Sequence, residues 1–154
     1  MKGSFYMPTS VINDDTIKLL RECNAGVKMG ITSIEEVLDN VHSEELKSIL
    51  TECKGKHEQL GQETRDMLND YDDSGKEPDL MAKGMSWLKT NFKLTIDSSD
   101  ETIADLITDG CNMGVKSLRR YLNEYQAAEE RVKDITNRLI VIEENAINDI
   151  KKFL

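Results

Sequence analysis

Apolar residues recur at alternating steps of three and four positions along four long stretches of this chain. That spacing is typical of helices that bury one face against their neighbours. The inward positions of the first two stretches are Ile17, Leu20, Asn24, Val27, Ile31, Ile34, Leu38 and Val41, and then Leu46, Leu50, Cys53, His57, Leu60, Thr64, Met67 and Tyr71. Those of the last two are Ile103, Ile107, Cys111, Gly114, Leu118, Tyr121 and Tyr125, and then Val132, Ile135, Leu139, Ile142, Ala146, Ile150 and Phe153. The pattern predicts four long helices, with His57 pointing inward near the middle of the second.

Capping residues indicate where each of these helices begins. Helix 1 is expected to begin near Asn13 or Asp14, and helix 2 directly after Ser43, since all three residue types are good N-caps. The run Ser98–Glu101 has the form of a capping box and predicts the start of helix 3. Helix 4 is expected from about Ala127, after a tight turn or a kink in the chain.

The link between helices 2 and 3 is much longer than the other two links. It carries a helical pattern of its own over about residues 80–94. Together these features predict an all-α fold, a four-helix bundle of two helical hairpins joined by a long crossover that contains a short helix. Residues 1–12 are predicted to form an N-terminal tail, and residues 13–154 to form a single domain.

One short motif is written twice, once in each predicted hairpin. The segment Cys23–Lys28 reads CNAGVK, and the segment Cys111–Lys116 reads CNMGVK. The repeat indicates two related hairpins, each with a glycine inside its first helix. Glycine inside a helix is unfavourable by up to about 1 kcal/mol, so a reason for its presence is needed. We expect helices 1 and 3 to approach closely at Gly26 and Gly114, where an added methyl group would overpack the contact.

Composition and charge narrow the kind of protein. Of the 154 residues 32% are charged and 38% hydrophobic, and the formal net charge is −9. Such a surface repels phosphate groups, so neither nucleic acid nor a membrane is expected as a partner. There is no apolar run of membrane-spanning length and no apolar signal core at the N-terminus. Three cysteines at wide spacings do not make a disulfide framework. These features predict a reduced protein in the cytoplasm.

Several segments give the chain a family resemblance over roughly residues 13–154. They are Ser43–Ser48 (SEELKS), Gly75–Pro78 (GKEP), Gly84–Lys89 (GMSWLK) and Asp100–Ile103 (DETI). With them, the predicted bundle resembles the ferritin-like superfamily, and most closely a bacterial ferritin-like family of unknown function. The resemblance implies the ferritin-like fold and a link to stress responses in some relatives. It implies no established activity.

The resemblance also implies a test, because the hallmark of the superfamily is a di-iron centre. That centre needs inward carboxylates on all four helices and two Glu-x-x-His pairs. The chain has two histidines, His42 and His57, and neither is preceded by such a glutamate. The middle of helix 4 reads Leu139–Ile142, which is typical of plain core. We therefore expect no di-iron centre, no metal and no other cofactor.

A smaller site remains as an alternative. His57 and Cys53 lie one turn apart, and Cys23 and Cys111 occupy equivalent places in the two hairpins. A thiolate and imidazole set of this kind could hold zinc or ferrous iron. The competing interpretation is that the cysteines are small buried hydrophobes and that His57 is a neutral core residue bonded to Asn24 or Thr64, with a pKa below its usual value.

The sequence favours a non-catalytic structural or protein-interaction module that lacks the di-iron ligands. The alternative is a metal-binding or thiol-redox protein that uses the His and Cys residues. Met85, Trp87 and Phe92 lie in the crossover, and apolar surface left uncovered there would mark a contact site. A homodimer or another protein partner is therefore expected.

Overall fold

The computed structural model of the protein describes residues 8–73 and 99–154. In these ranges the chain forms four helices and no strand: α1 (Thr9–Leu38), α2 (Glu44–Asp70), α3 (Asp100–Glu124) and α4 (Glu130–Ile150), the last followed by a 3₁₀ turn (Lys151–Phe153). The prediction of an all-α chain with four long helices is confirmed. None of the four helices is long and apolar enough to cross a membrane. The predicted helix over 80–94 and the residues Met85, Trp87 and Phe92 lie outside the described ranges, so the predictions that depend on them stay predictions.

Side-chain caps define the starts of α2 and α3 as expected. The Ser43 hydroxyl accepts a hydrogen bond from the Leu46 amide at 3.2 Å, and Ser99 accepts one from Thr102 at 3.2 Å. The start of α1 differs from the prediction, because the helix begins at Thr9 rather than near Asn13. The reason is that the Pro8 carbonyl already accepts bonds from two amides of the first turn, at 3.0 and 3.2 Å.

Hydrogen bonds join the two hairpins at both ends of the bundle. In each case the turn of one hairpin donates to a helix of the other. Asp100, the first residue of α3, accepts the amides of His42 and Ser43 in the α1–α2 turn, both at 2.8 Å. At the opposite end, Asp15 of α1 accepts the Ala127 amide from the α3–α4 turn at 2.9 Å. Backbone amides in each turn therefore donate to an aspartate side chain of the other hairpin. These bonds also show that α1 runs antiparallel to α3.

The buried apolar side chains form two clusters, one toward each end of the bundle. One contains Leu19, Leu20, Cys23, Val27, Leu60, Leu68, Leu118, Ala128, Val132, Ile135, Leu139 and Ile140. The other contains Ile34, Val37, Leu46, Leu50, Cys53, Ile103, Ile107, Cys111, Ala146 and Ile150. Most of the predicted inward positions are in one cluster or the other. His57 of α2 and Glu143 of α4 lie between the two clusters along their helices, and both are buried.

The predicted close approach of α1 and α3 at the repeated glycines is wrong. A Cβ atom added at Gly26 would have only Leu139 of α4 nearby, with Cδ2 at 3.8 Å. One added at Gly114 would meet Glu143 of α4, with Oε2 at 3.5 Å. Both are ordinary contact distances, and neither involves the other repeat. A close helix approach occurs instead between α1 and α2, where a Cβ at Gly61 would lie 3.1 Å from Val27 Cγ1.

The reciprocal bonds between hairpins can be tested at Asp100. The substitution Asp100→Ala removes a charged acceptor from two backbone amides, so we expect the free energy of unfolding to fall by about 1–3 kcal/mol. Glu101→Ala is the matched control, because it removes an exposed acidic residue from the same helical turn. Urea unfolding of both variants measures the difference, and equal losses would contradict the structural role of Asp100.

Candidate functional site

The centre of the bundle is occupied by a buried pair, His57 of α2 and Glu143 of α4. The His57 Nε2 atom lies 2.5 Å from Glu143 Oε1, and its Nδ1 atom lies 2.8 Å from the Cys53 carbonyl oxygen. A carbonyl oxygen can only accept a hydrogen bond, so Nδ1 must carry a proton. The carboxylate likewise accepts from Nε2. Both ring nitrogens are donors, and the side chain is therefore an imidazolium ion paired with a carboxylate.

This geometry overturns the prediction that His57 is neutral. Burial by itself lowers the pKa of His57, but the hydrogen bonds to Cys53 and Glu143 and the charge of Glu143 outweigh it and raise the pKa to about 10. The predicted partners of His57 bond each other instead. Asn24 Nδ2 donates to Thr64 Oγ1 at 2.9 Å, and that hydroxyl donates to the Gly61 carbonyl at 3.0 Å.

The other two helices complete the layer around this ion pair. The Cys111 thiol of α3 lies close enough to Glu143 for the carboxylate to raise its pKa, in addition to the effect of burial. On α1, the backbone of Gly30 lies directly against the imidazole, because an added Cβ would be only 2.6 Å from His57 Cδ2. Each of the four helices thus supplies one residue to a single central layer: Gly30, His57, Cys111 and Glu143.

The cysteines predicted as possible ligands do not form one group. Cys53 Sγ lies 3.7 Å from His57 Nδ1, and Cys111 lies near Cys53 and Glu143. Cys23 lies in the other core cluster, with its Sγ 3.0 Å from Thr136 Oγ1. Burial raises the pKa of Cys23 to about 12 and holds the pKa of Cys111 well above its usual range. Across 8–73 and 99–154, no three His, Cys, Asp or Glu side chains are arranged to hold a metal ion.

A cavity of about 360 Å³ lies between α1 and α3 and has the ion pair in its wall. Its lining is largely apolar, with Met29, Ile34, Leu106, Ile107, Met113, Leu118 and Leu139 as the larger side chains. Four glycines also line it, Gly26 and Gly30 from α1 and Gly110 and Gly114 from α3. The repeated motif therefore places its glycines on opposite walls of one cavity.

Three of these glycines have space around them. A Cβ at Gly110 would have no described atom within 4 Å, and those at Gly26 and Gly114 would make only ordinary contacts. Tight packing against the described residues therefore does not explain them, although each is unfavourable in a helix by up to about 1 kcal/mol relative to alanine. Their small size does contribute to the volume of the cavity.

A second carboxylate lies in the cavity wall, away from the ion pair. Glu22 of α1 is only 6% exposed, and Tyr121 of α3 lies near it. Burial, together with the charge of Glu22 and its interaction with the hydroxyl, raises the pKa of Tyr121 to about 12. The polar residues in the cavity wall are thus Glu143 beside His57, Glu22 beside Tyr121, and the two serines Ser33 and Ser117.

Neither glutamate is among the site residues that the sequence predicts. Glu143 follows Leu139 by four positions and precedes Ala146 by three, so it fits the inward spacing of α4 as well as Ile142 does. That spacing was the available signal, and an apolar residue was preferred for the inward place. In the structure Glu143 is buried and Ile142 only partly so. Glu22 lies beside the predicted seam of α1, and its burial depends on where α3 packs.

Comparison of the chain with protein-family models, with curated proteins and with solved structures found no match. No relative therefore tests the resemblance to a known family. The residues of the central layer and the cavity are the basis on which a function can be assigned.

The contact between Gly30 and His57 predicts opposite outcomes for two similar substitutions. Gly30→Ala places a methyl group against an imidazole that two hydrogen bonds hold in place, so the unfolding free energy should fall by about 1–3 kcal/mol. Gly26→Ala, one turn earlier, has room and should be neutral or stabilising by up to about 1 kcal/mol through helix propensity. Denaturant unfolding of both variants measures the two changes in unfolding free energy. If both substitutions stabilise the protein, His57 does not lie against Gly30.

The charge on His57 predicts how stability depends on pH. The imidazole has a pKa of about 10 in the folded protein and of about 6.5 in the unfolded chain. Its contribution to stability is thus complete below pH 6.5 and is lost as the pH rises toward 10. We expect the difference in unfolding free energy between the native chain and His57→Gln to shrink over that interval. A difference that instead shrinks as the medium is acidified would indicate a neutral buried histidine.

Proposed function

We propose that this protein is a non-catalytic binding module that takes an apolar small molecule into the cavity between α1 and α3. The observation that carries the proposal is the set of helical glycines, Gly26, Gly110 and Gly114, that line the cavity and have room for larger side chains. Alanine at these positions would favour the helices, so the presence of glycine is consistent with a need for open volume.

The size of the cavity supports a small molecule rather than a protein segment. Its volume of about 360 Å³ falls in the range of ordinary small-molecule pockets, roughly 300–1,000 Å³. A helix with its side chains is about 10–12 Å wide. Because α1 and α3 also contact each other directly, a further helix would have to separate them. The largely apolar lining with a few polar residues has the composition expected of a ligand pocket.

The state of the titratable groups supports a non-catalytic role. A general base needs a free lone pair, but both ring nitrogens of His57 are donating hydrogen bonds. A cysteine nucleophile needs a thiolate, whereas burial raises the pKa of Cys23 and of Cys111. The alternative of a thiol-redox or metal-binding protein rests on the proximity of Cys53, His57 and Cys111, and the same two facts weigh against it.

We further propose that the bundle is ferritin-like in its topology. In support of this, α1 is antiparallel to both α2 and α3, and α2 ends at the opposite end of the bundle from the start of α3. Two hairpins joined by a long crossover have this arrangement. The di-iron centre of that superfamily does not fit here. It requires carboxylates on every helix, whereas the central layer offers Gly30, His57, Cys111 and Glu143, with its one carboxylate already paired to the imidazolium.

Binding of a neutral apolar probe tests the proposed function. N-phenyl-1-naphthylamine should bind the native chain with increased fluorescence, and Gly26→Leu should weaken that binding by about tenfold or more because the side chain fills the cavity. Gly55→Leu is the matched control, since Gly55 is exposed on α2 and has no described atom near its added Cβ. Circular dichroism and thermal melts verify that both variants fold.

Should Gly26→Leu fail to fold, Gly110→Leu fills the same cavity from the opposite helix. The proposal fails if the probe does not bind the native chain, or if the cavity variant and the Gly55 variant bind it equally well.

A further inference from the structure

The buried ion pair has one carboxylate oxygen on the side of the cavity. His57 Nε2 is bonded to Oε1 of Glu143. The other oxygen, Oε2, would lie 3.5 Å from a Cβ atom at Gly114, and Glu143 and Gly114 both line the cavity. Because glycine has no side chain, residue 114 does not fill the space in front of Oε2.

The carboxylate of Glu143 has capacity for a further hydrogen bond. A carboxylate can accept at about four lone-pair sites. His57 uses one of them through Oε1, and the thiol of Cys111 lies close enough to use another. A donor from a bound molecule can therefore bond Oε2 without displacing either group. Hydrogen bonds from a hydroxyl to a carboxylate are short and stronger than those between neutral groups.

The charges in the lining favour a ligand without a charge of its own. The imidazolium of His57 already balances the carboxylate of Glu143, so a cation there would be buried without a counter-ion. An anion would lie near Glu143 and Glu22, and no Lys or Arg is found among the described residues that line the cavity. Glu22 itself interacts with other residues of the chain, so no ligand group is assigned to it.

The two serines in the lining do not change this assignment. Ser33 of α1 and Ser117 of α3 carry hydroxyl groups, which both donate and accept hydrogen bonds. They tolerate either kind of polar group on a ligand. An ionised carboxylate can only accept, so Glu143 is the residue that selects. The polar group of the ligand must therefore be a donor.

From this geometry, and resting on the function proposed above, we infer that the ligand is an uncharged apolar molecule that carries a hydroxyl group. The hydroxyl donates to Oε2 of Glu143 in the space that Gly114 leaves open. The apolar body lies against the largely apolar walls of α1 and α3.

Three benzene derivatives of similar size test the inference: 4-isopropylphenol, 4-isopropyltoluene and 4-isopropylbenzoate. They carry a hydroxyl, a methyl and a carboxylate group at the same ring position. Each is titrated against the full chain at neutral pH, where the phenol is uncharged, and displacement of N-phenyl-1-naphthylamine is measured. We expect the phenol to bind at least as tightly as the toluene, although water hydrates it better, because Glu143 replaces the lost water. The benzoate should bind more weakly than the phenol by about tenfold or more.

Two alanine variants identify the residue responsible. Gly114→Ala places a methyl group 3.5 Å from Glu143 Oε2 and so keeps the ligand hydroxyl away from that oxygen. Gly26→Ala takes the same volume from the same cavity, with only Leu139 nearby. The ratio of phenol affinity to toluene affinity should fall about tenfold in Gly114→Ala and stay unchanged in Gly26→Ala. The hydration of the free probes cancels in this comparison.

Circular dichroism and thermal melts verify that both variants fold. Should Gly114→Ala fail to fold, 4-isopropylanisole provides a second measurement on the native chain. It keeps the oxygen atom of the phenol but has no proton to donate. It should bind more weakly than the phenol if the carboxylate is the partner, whereas the serine hydroxyls could donate to both.

The outcomes separate this inference from the function on which it rests. If neither N-phenyl-1-naphthylamine nor any of the benzene derivatives binds, the proposed function fails as well. If they bind, only the inference is overturned by any of three results. These are a toluene or anisole that binds more tightly than the phenol, a benzoate that binds as tightly as the phenol, or an equal change of the affinity ratio in the two glycine variants.

Discussion

The ion pair between His57 and Glu143 is the interaction on which the rest of the structure depends. Neither charge can be left alone in the core, since removing one partner of a buried pair typically costs 3–5 kcal/mol. The pair sets the position of α2 along α4, and Cys111 of α3 lies close to its carboxylate. Its imidazole leaves no room for a side chain at Gly30, so it also fixes the residue that α1 can present.

The same pair explains why the middle of the bundle differs from its ends. Toward each end, apolar side chains from several helices pack into a cluster. In the middle, the imidazolium and carboxylate are held between α2 and α4, and the facing parts of α1 and α3 carry glycines. The cavity is therefore built on a rigid polar wall and two helix faces that hold little bulk. The shape of the cavity therefore depends on the glycines, which have no side chain, as much as on the side chains that line it.

Much of the fold could be predicted from spacing and capping, because these are local properties of the chain. The caps Ser43 and Ser99 and the inward seams are examples. The central site could not be predicted, because it depends on contacts between helices. Spacing allowed either Ile142 or Glu143 to point inward, and only the presence of His57 opposite makes a buried glutamate stable. For the same reason the pKa of His57 was predicted to be lowered, whereas it is raised. A glycine in a helix is compatible with a tight crossing or with an open space, and the sequence does not distinguish the two.

A molecule that binds in the open space between α1 and α3 would increase the fraction of the chain that is folded. An empty apolar cavity leaves its lining without contact partners on one side, and helical glycines weaken the walls further. A ligand that binds only the folded chain shifts the equilibrium toward that state in proportion to its concentration relative to its dissociation constant. Degradation by proteases usually proceeds from the unfolded or opened chain. If the cavity binds a small molecule as proposed, the amount of this protein that persists would follow the concentration of that molecule, without any change in the shape of the bundle.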